Sequence, residues 1–214
     1  MHAPSQILYY RAMDNYNLEI YEKFIRVITG RINEHFEEQK EYLCCKEGCA
    51  LCCQSGQYPC TSLELEYLSL GFSYLPQEIQ EKIYSNIDKI KKEKADFKGE
   101  KFLYTCPFLI DNKCGVYNHR LIVCRTFGLI YFNEDAEVSK INPLKVPFCF
   151  EKGLNYSKVY DKEKNNLSVK KCKEQGYKNE PIAYNLNFKQ YREKVGKNML
   201  NLDFGEEKSL IDWL

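Results

Sequence analysis

Four cysteines fall within nine residues, at Cys45, Cys49, Cys52 and Cys53, and four more follow at Cys106, Cys114, Cys124 and Cys149. A chain of 214 residues is long enough to bury a core without covalent staples. Eight thiols in two knots therefore exceed what packing requires. Thiolates gathered this closely repel one another unless a cation stands among them, and zinc and iron are the ordinary cations of such sites. This one feature restricts the fold: the cysteine segments must be irregular enough to bend back on an ion, and the rest of the chain must hold them there.

The remaining composition bounds the setting. Met1-His2-Ala3-Pro4-Ser5-Gln6 is not a basic segment leading into an apolar core, so no secretory signal is expected. No apolar run reaches the ~18 residues that span a bilayer. A cytoplasmic location, with no membrane association, is the expectation. Thiols stay reduced there, which favours metal over disulfides, and eleven cysteines leave at least one unpaired in any all-disulfide monomer. The net charge of +1 gives no sign of a dedicated nucleic-acid surface. The lysine-rich stretches Lys89 to Lys94 and Lys170 to Lys173 read as solvated faces.

Periodicity predicts a mainly helical chain. From Tyr16 to Phe36, Leu18, Tyr21, Phe24, Ile25, Ile28, Ile32 and Phe36 form one stripe, expected to cover the metal core. Thr61 with Glu64 three residues on has capping-box spacing, and the helix it opens is expected to stop at Gly71. Leu75-Pro76-Gln77 opens another helix, with Ile79, Ile83, Ile87 and Ile90 on one face, fading in the lysine run. Phe102-Leu103-Tyr104 reads as a short strand, and Asp111-Asn112-Lys113 as a turn. Tyr117 to Phe127 reads as a short helix closed near Gly128. Leu129 to Phe132 and Val138 to Ile141 read as the arms of a hairpin. A helix is expected near Phe188 to Leu200 and a turn at Ser209 to Leu214. The resulting expectation is a mainly α fold with short β elements, in which helices wrap a small irregular cysteine-rich metal core. Its segments are 1–43, helical; 44–153, the cysteine cluster; and 154–214, a C-terminal extension packed on the same domain.

The spacing of the cysteines is chemically specific. In Cys49-x-x-Cys52 two intervening residues let both sulfurs meet one ion. Cys45 and Cys53 strengthen that half-site. Cys52 and Cys53 are adjacent, so their side chains are expected to diverge and to suit a multi-iron cluster or two neighbouring ions rather than one. In the second group Pro107 stiffens one ligand turn and Gly115 frees another. Arg125, next to Cys124, either neutralises thiolate charge through N–H···S bonds or is a surface arginine in a salt bridge. Cys44, Cys60 and Cys172 read as small buried hydrophobes, although Cys44 is also an alternative to Cys45. Of three histidines only His119 lies near the motif, and a structural or exposed role is favoured for it.

The order of these elements resembles the YkgJ-like family of zinc- or iron-chelating cysteine-cluster domains. The run from Cys45 through Cys49 to Cys52-Cys53, then Cys106-Pro107, Cys114-Gly115-Val116-Tyr117 with Arg120, Cys124-Arg125-Thr126-Phe127 and finally Cys149 follow that family's pattern over about residues 45 to 150. Leu121 departs from it, standing where the family usually has proline. The resemblance implies a zinc or iron–sulfur site, with a [4Fe–4S] cluster as the expected iron form. A related group, the flagellin lysine N-methylases, implies an alternative: methylation of a protein lysine with S-adenosylmethionine, and a protein substrate or partner. Cys45-x3-Cys49-x2-Cys52 also equals the spacing of radical S-adenosylmethionine enzymes, but no repeating βα pattern supports their barrel. No Ser-His-Asp arrangement, phosphate-binding glycine loop or HExxH suggests other chemistry. The competing readings are thus a cluster carrier, a cluster-dependent methyltransferase and a zinc-stapled binding module.

Overall fold

The computed structural model describes residues 15–133 and 143–214. Helices dominate and every sheet has two short strands, so the fold is mainly α with short β elements. Helix α1 (Asn15–Glu38) buries Tyr21, Phe24, Ile25, Ile28 and Ile32 as the periodicity predicts. The partner of this stripe differs from the expectation. It packs on Leu63, Tyr67, Ile122 and Leu129 and on the C-terminal residues Tyr184, Leu186, Leu202 and Phe204, rather than over the cysteines. Apolar residues far along the chain outcompete the thiols for the stripe because they bury more non-polar area.

After α1, residues 43–50 form no regular element, and the short helix α2 (Leu51–Gln54) carries Cys52 and Cys53. Strand β1 (Pro59–Thr61) leads into helix α3 (Ser62–Ser73). Thr61 and Glu64 form the expected capping box, each side chain accepting from the other's backbone N–H. Helix α3 runs two residues beyond Gly71. A Cβ at Gly71 would stand 2.5 Å from the His119 ring, so this glycine admits a neighbour rather than ending a helix. Sandwiched on two sides, α3 turns Leu65, Leu68 and Phe72 to one apolar cluster and Leu63 and Tyr67 to another.

Helix α4 (Gln77–Asp96) follows Pro76 and buries Ile83, Ile87 and Ile90, each contributing roughly 1.5–3 kcal/mol. It continues through the lysine run, whose side chains face solvent while the isoleucines anchor the backbone. Phe102 to Tyr104 makes only an isolated bridge, Tyr104 with Gly56, because no further strand lies alongside. Strands β2 (Leu109–Ile110) and β3 (Lys113–Cys114) pair antiparallel. Their turn residues Asp111 and Asn112 have φ of 48° and 60°, the left-handed region these side chains tolerate best after glycine.

The stretch from Tyr117 to Phe127 is two pieces: a 3-10 turn at Tyr117–His119 and helix α5 (Ile122–Thr126). Arg120 and Leu121 between them are extended. The φ of −58° at Leu121 is one that proline would also adopt, so leucine fits the departure from the family pattern and adds a buried side chain. Strand β4 (Tyr131–Phe132) pairs with β5 (Leu144–Lys145); the hairpin arm expected at Val138 to Ile141 lies outside the described residues.

The C-terminal residues interleave with the rest. Strands β6 (Tyr160–Asp161) and β7 (Asn166–Leu167) form a small hairpin. A helical stretch over 188–200 contains a π-helical segment, Arg192–Lys197. Strand β8 (Glu207–Ser209) pairs antiparallel with β1. The last helix, Leu210–Trp213, seats Leu210 and Ile211 in the cluster of α3 and α4, and Trp213 Nε1 donates to Cys60 O at 2.8 Å. No helix among the described residues is long and apolar enough to cross a membrane.

Candidate metal centre

The two cysteine groups are tied together through the backbone. Cys106 N donates to Cys53 O at 2.7 Å, and Gly56 and Tyr104 exchange N–H···O bonds of 3.1 and 3.2 Å. Thr105 Oγ1 donates to Gln54 O, and Tyr58 OH reaches Cys52 O at 3.2 Å. The segment after α2 is thereby fastened to the one that enters the β2–β3 hairpin.

The thiols on these elements feel one another. Cys53 is raised by its neighbour Cys52, by burial, and by Cys106 and Cys124. Burial, then Cys106, Cys114 and Cys52, raises Cys124 well above the ordinary thiol range. Burial, then Cys45, Cys49 and Cys52, raises Cys149 to about 11. Cys45 is raised by burial and by Cys49 and Cys52. Cys52 is thus electrically adjacent to members of both groups. Its own pKa is lowered to about 7, chiefly by the S···S hydrogen bond it shares with Cys53. The two sulfurs are 3.9 Å apart. The divergence expected for adjacent residues is therefore incomplete, because the single turn of α2 leaves both side chains free to lean together.

Backbone donors reach several of the sulfurs, Cys52 and Cys149 among them. The N–H groups of Phe108 and Leu109 lower Cys106, against a burial effect that still leaves it raised to about 12. The N–H of Val116 does the same for Cys114, also raised by burial. Both follow from turns that fold back two residues past the cysteine, at Pro107 and at Gly115. Such donors favour a thiolate over a thiol.

The cation nearest these thiols in effect is Arg120. It lowers Cys52, Cys114 and Cys124, while its guanidinium sits 3.7 Å over the Tyr117 ring. Arg125 is buried and turned elsewhere: Nη1 donates to Thr29 Oγ1 at 3.0 Å and Nη2 to Asn118 O at 2.8 Å. Among the described residues it makes neither an N–H···S contact nor a surface salt bridge, the two alternatives read from the sequence. The His119 ring lies tilted against Tyr67, centroids 4.7 Å apart, and burial lowers its pKa, as a structural histidine would show.

Asn155 is the contributor that spacing did not reveal. Fully buried, it accepts from Cys44 N at 2.7 Å and donates through Nδ2 to Gly128 O at 3.0 Å and to Cys45 Sγ at 3.1 Å. One amide thus holds the start of the first cysteine loop. It lies 110 residues from Cys45 and no motif includes it. Gly128 permits the approach: its φ is +112°, and a Cβ there would stand 2.7 Å from Cys45 Sγ. Of the three cysteines read as spectators, Cys60 and Cys172 are buried, but Cys44 is exposed, because its neighbours in the irregular loop offer no apolar cover.

Among the described residues no three His, Cys, Asp or Glu side chains converge to hold an ion. The donor chemistry nevertheless suits a thiophilic metal: all-thiol, bounded by N–H groups and an arginine. No family model matches the chain, and neither a curated protein nor a solved structure matches it significantly.

Proposed function

We propose that this chain is a cysteine-cluster metal-binding protein of the YkgJ-like kind, working in the reducing cytoplasm. Cys45, Cys49, Cys52, Cys53, Cys106, Cys114, Cys124 and Cys149 are the residues that would hold zinc or an iron–sulfur cluster. The observation that carries the reading is the Cys52–Cys53 pair at 3.9 Å. Two thiolates bonded at ~2.3 Å to one tetrahedral zinc stand about 3.8 Å apart. That match favours a shared mononuclear ion at this edge over the separated corners of a larger cluster. The N–H groups aimed at Cys106 and Cys114, and the charge of Arg120, support thiolate character on the opposite side. Burial alone keeps most of these thiols protonated, so a bound cation supplies the charge that makes them ligands, and its uptake releases protons.

The methyltransferase alternative requires space for S-adenosylmethionine beside the thiols. Two cavities among the described residues, one apolar and one polar, have no cysteine in their walls. The apolar one lies between α1 and the 188–200 helix, with Phe24, Ile32, Leu186 and Val195 among its walls. The simpler binding role is preferred.

Anaerobic purification with zinc, iron and acid-labile sulfide analysis tests the reading. Stoichiometric zinc in a colourless sample supports the mononuclear form; brown protein with sulfide supports the cluster form. Absence of both metals, or equal metal loss from Cys52→Ser and Cys172→Ser, would sink the proposal.

A further inference from the structure

Helix α1 has a glycine near its middle, where glycine weakens a helix. A Cβ built at Gly30 meets nothing within 4 Å, so no packed neighbour requires the missing side chain. What lies beside it is a polar cleft of about 390 Å³. Arg125 forms part of its wall and is only 7% exposed. A guanidinium carries five N–H donors. Two are used, on Thr29 Oγ1 and Asn118 O, both neutral acceptors. The Nε of Arg125 is buried without a partner among the described residues. Glu22 is the one acid in the cleft wall, and it pairs at 3.3 Å with Arg26. A buried cation with no carboxylate partner among the described residues is costly, and an anion in the cleft would relieve that cost.

From this we infer that the cleft is a binding site for a small organic oxyanion, a carboxylate or a phosphate ester, held by the unused donors of Arg125 and admitted by the missing side chain of Gly30. A guanidinium matches either group through paired N–H···O bonds. The site uses none of the eight cysteines as donors, although Arg125 directly follows Cys124 in the chain.

Calorimetric titration of the full chain tests this, at constant ionic strength set with chloride. Acetate and succinate form one series; inorganic phosphate and glycerol phosphate form the other. Saturable binding in one series is expected, and the series that binds identifies the class. Arg125→Lys and Gly30→Leu should each weaken it by at least ~10-fold, the first by losing paired donors and the second by filling the cleft. Leucine is a better helix former than glycine, so the second variant retains the fold even where the first does not. No saturable binding of either series, or binding that Gly30→Leu leaves unchanged, overturns the proposal.

Discussion

The two cysteine groups are built on different principles. Three of the second group are carried by packed elements: Cys106, Cys114 and Cys124 are half-buried and lie against the apolar cluster of α3, α4 and the last helix, whereas Cys149 lies outside that cluster and feels Cys45, Cys49 and Cys52 of the first group. The first group begins in a loop with no regular structure, where Cys44, Cys45 and Cys49 are exposed. What holds that loop is polar: the Asn155 amide, while the Lys113–Glu47 pair at 2.8 Å is exposed and adds little. One half of the candidate site is preformed by burial, while the other relies on a few hydrogen bonds and on whatever the thiols bind. If a metal binds as proposed, a rigid half with a pliant half would let it enter without unfolding the protein and close the site on arrival.

The largest expected effect therefore comes from metal removal. Chelation should raise amide exchange in residues 43–50 by at least ~10-fold and leave 106–126 within about threefold, because only the second segment has apolar packing to hold it. Hydrogen-exchange mass spectrometry decides this, and equal loosening of both segments would erase the distinction. Next is Asn155→Ala, which deletes three hydrogen bonds and leaves Cys44 N and Gly128 O unpaired. A loss of about 2–3 kcal/mol is expected by urea unfolding, together with faster metal release. Unchanged release would mean the amide supports the fold and not the loop.

Glu64 probes the rigid side. Its carboxylate accepts from Ile122 N at 2.9 Å and so anchors the start of α5, which carries Cys124. Burial holds its pKa above the ordinary carboxyl range, against the lowering by the N–H groups of Ile122 and Thr61 and by Arg192. A carboxyl raised in the fold binds its proton more tightly there. Its linked stability is complete below the unfolded value near ~4.3 and is lost as pH rises through the folded one. Glu64→Gln keeps one accepting oxygen but turns an NH2 toward either Thr61 N or Ile122 N; it should cost about 1 kcal/mol at low pH, and the wild-type advantage should shrink from pH 4 to 7. An advantage that grows over that range contradicts the burial account. The smallest effect belongs to Lys113→Ala: the exposed pair with Glu47 should contribute nothing measurable to stability or metal content at physiological salt. A clear loss of metal from that variant would show that the pliant loop depends on a surface contact.

Local patterns were the legible part of the fold. The capping box at Thr61 and Glu64, the isoleucine face of α4 and the Asp111-Asn112 turn each depend on residues within a few positions, where side-chain chemistry acts directly on the backbone. Boundaries were less legible. Gly71 lies inside α3 because His119 occupies the space above it, and α4 outlasts its lysines because the opposite face is buried. Neither cause is visible in a short window of sequence. Of the candidate site, spacing named the thiols but not what surrounds them: the roles of Arg120 and Arg125 depend on which way α5 and the preceding turn face.

The sequence by itself determined the helical character of the chain, its turns and caps, and the number and grouping of its thiols, because each is a short-range property of composition and spacing. The tertiary structure alone decided that α1 covers the C-terminal residues instead of the cysteines, that Asn155 reaches across 110 residues to Cys45, and that Cys52 and Cys53 lean to 3.9 Å. These are outcomes of competition for burial and for hydrogen-bond partners among groups distant in the chain, and that competition is settled only when all of them occupy the same volume.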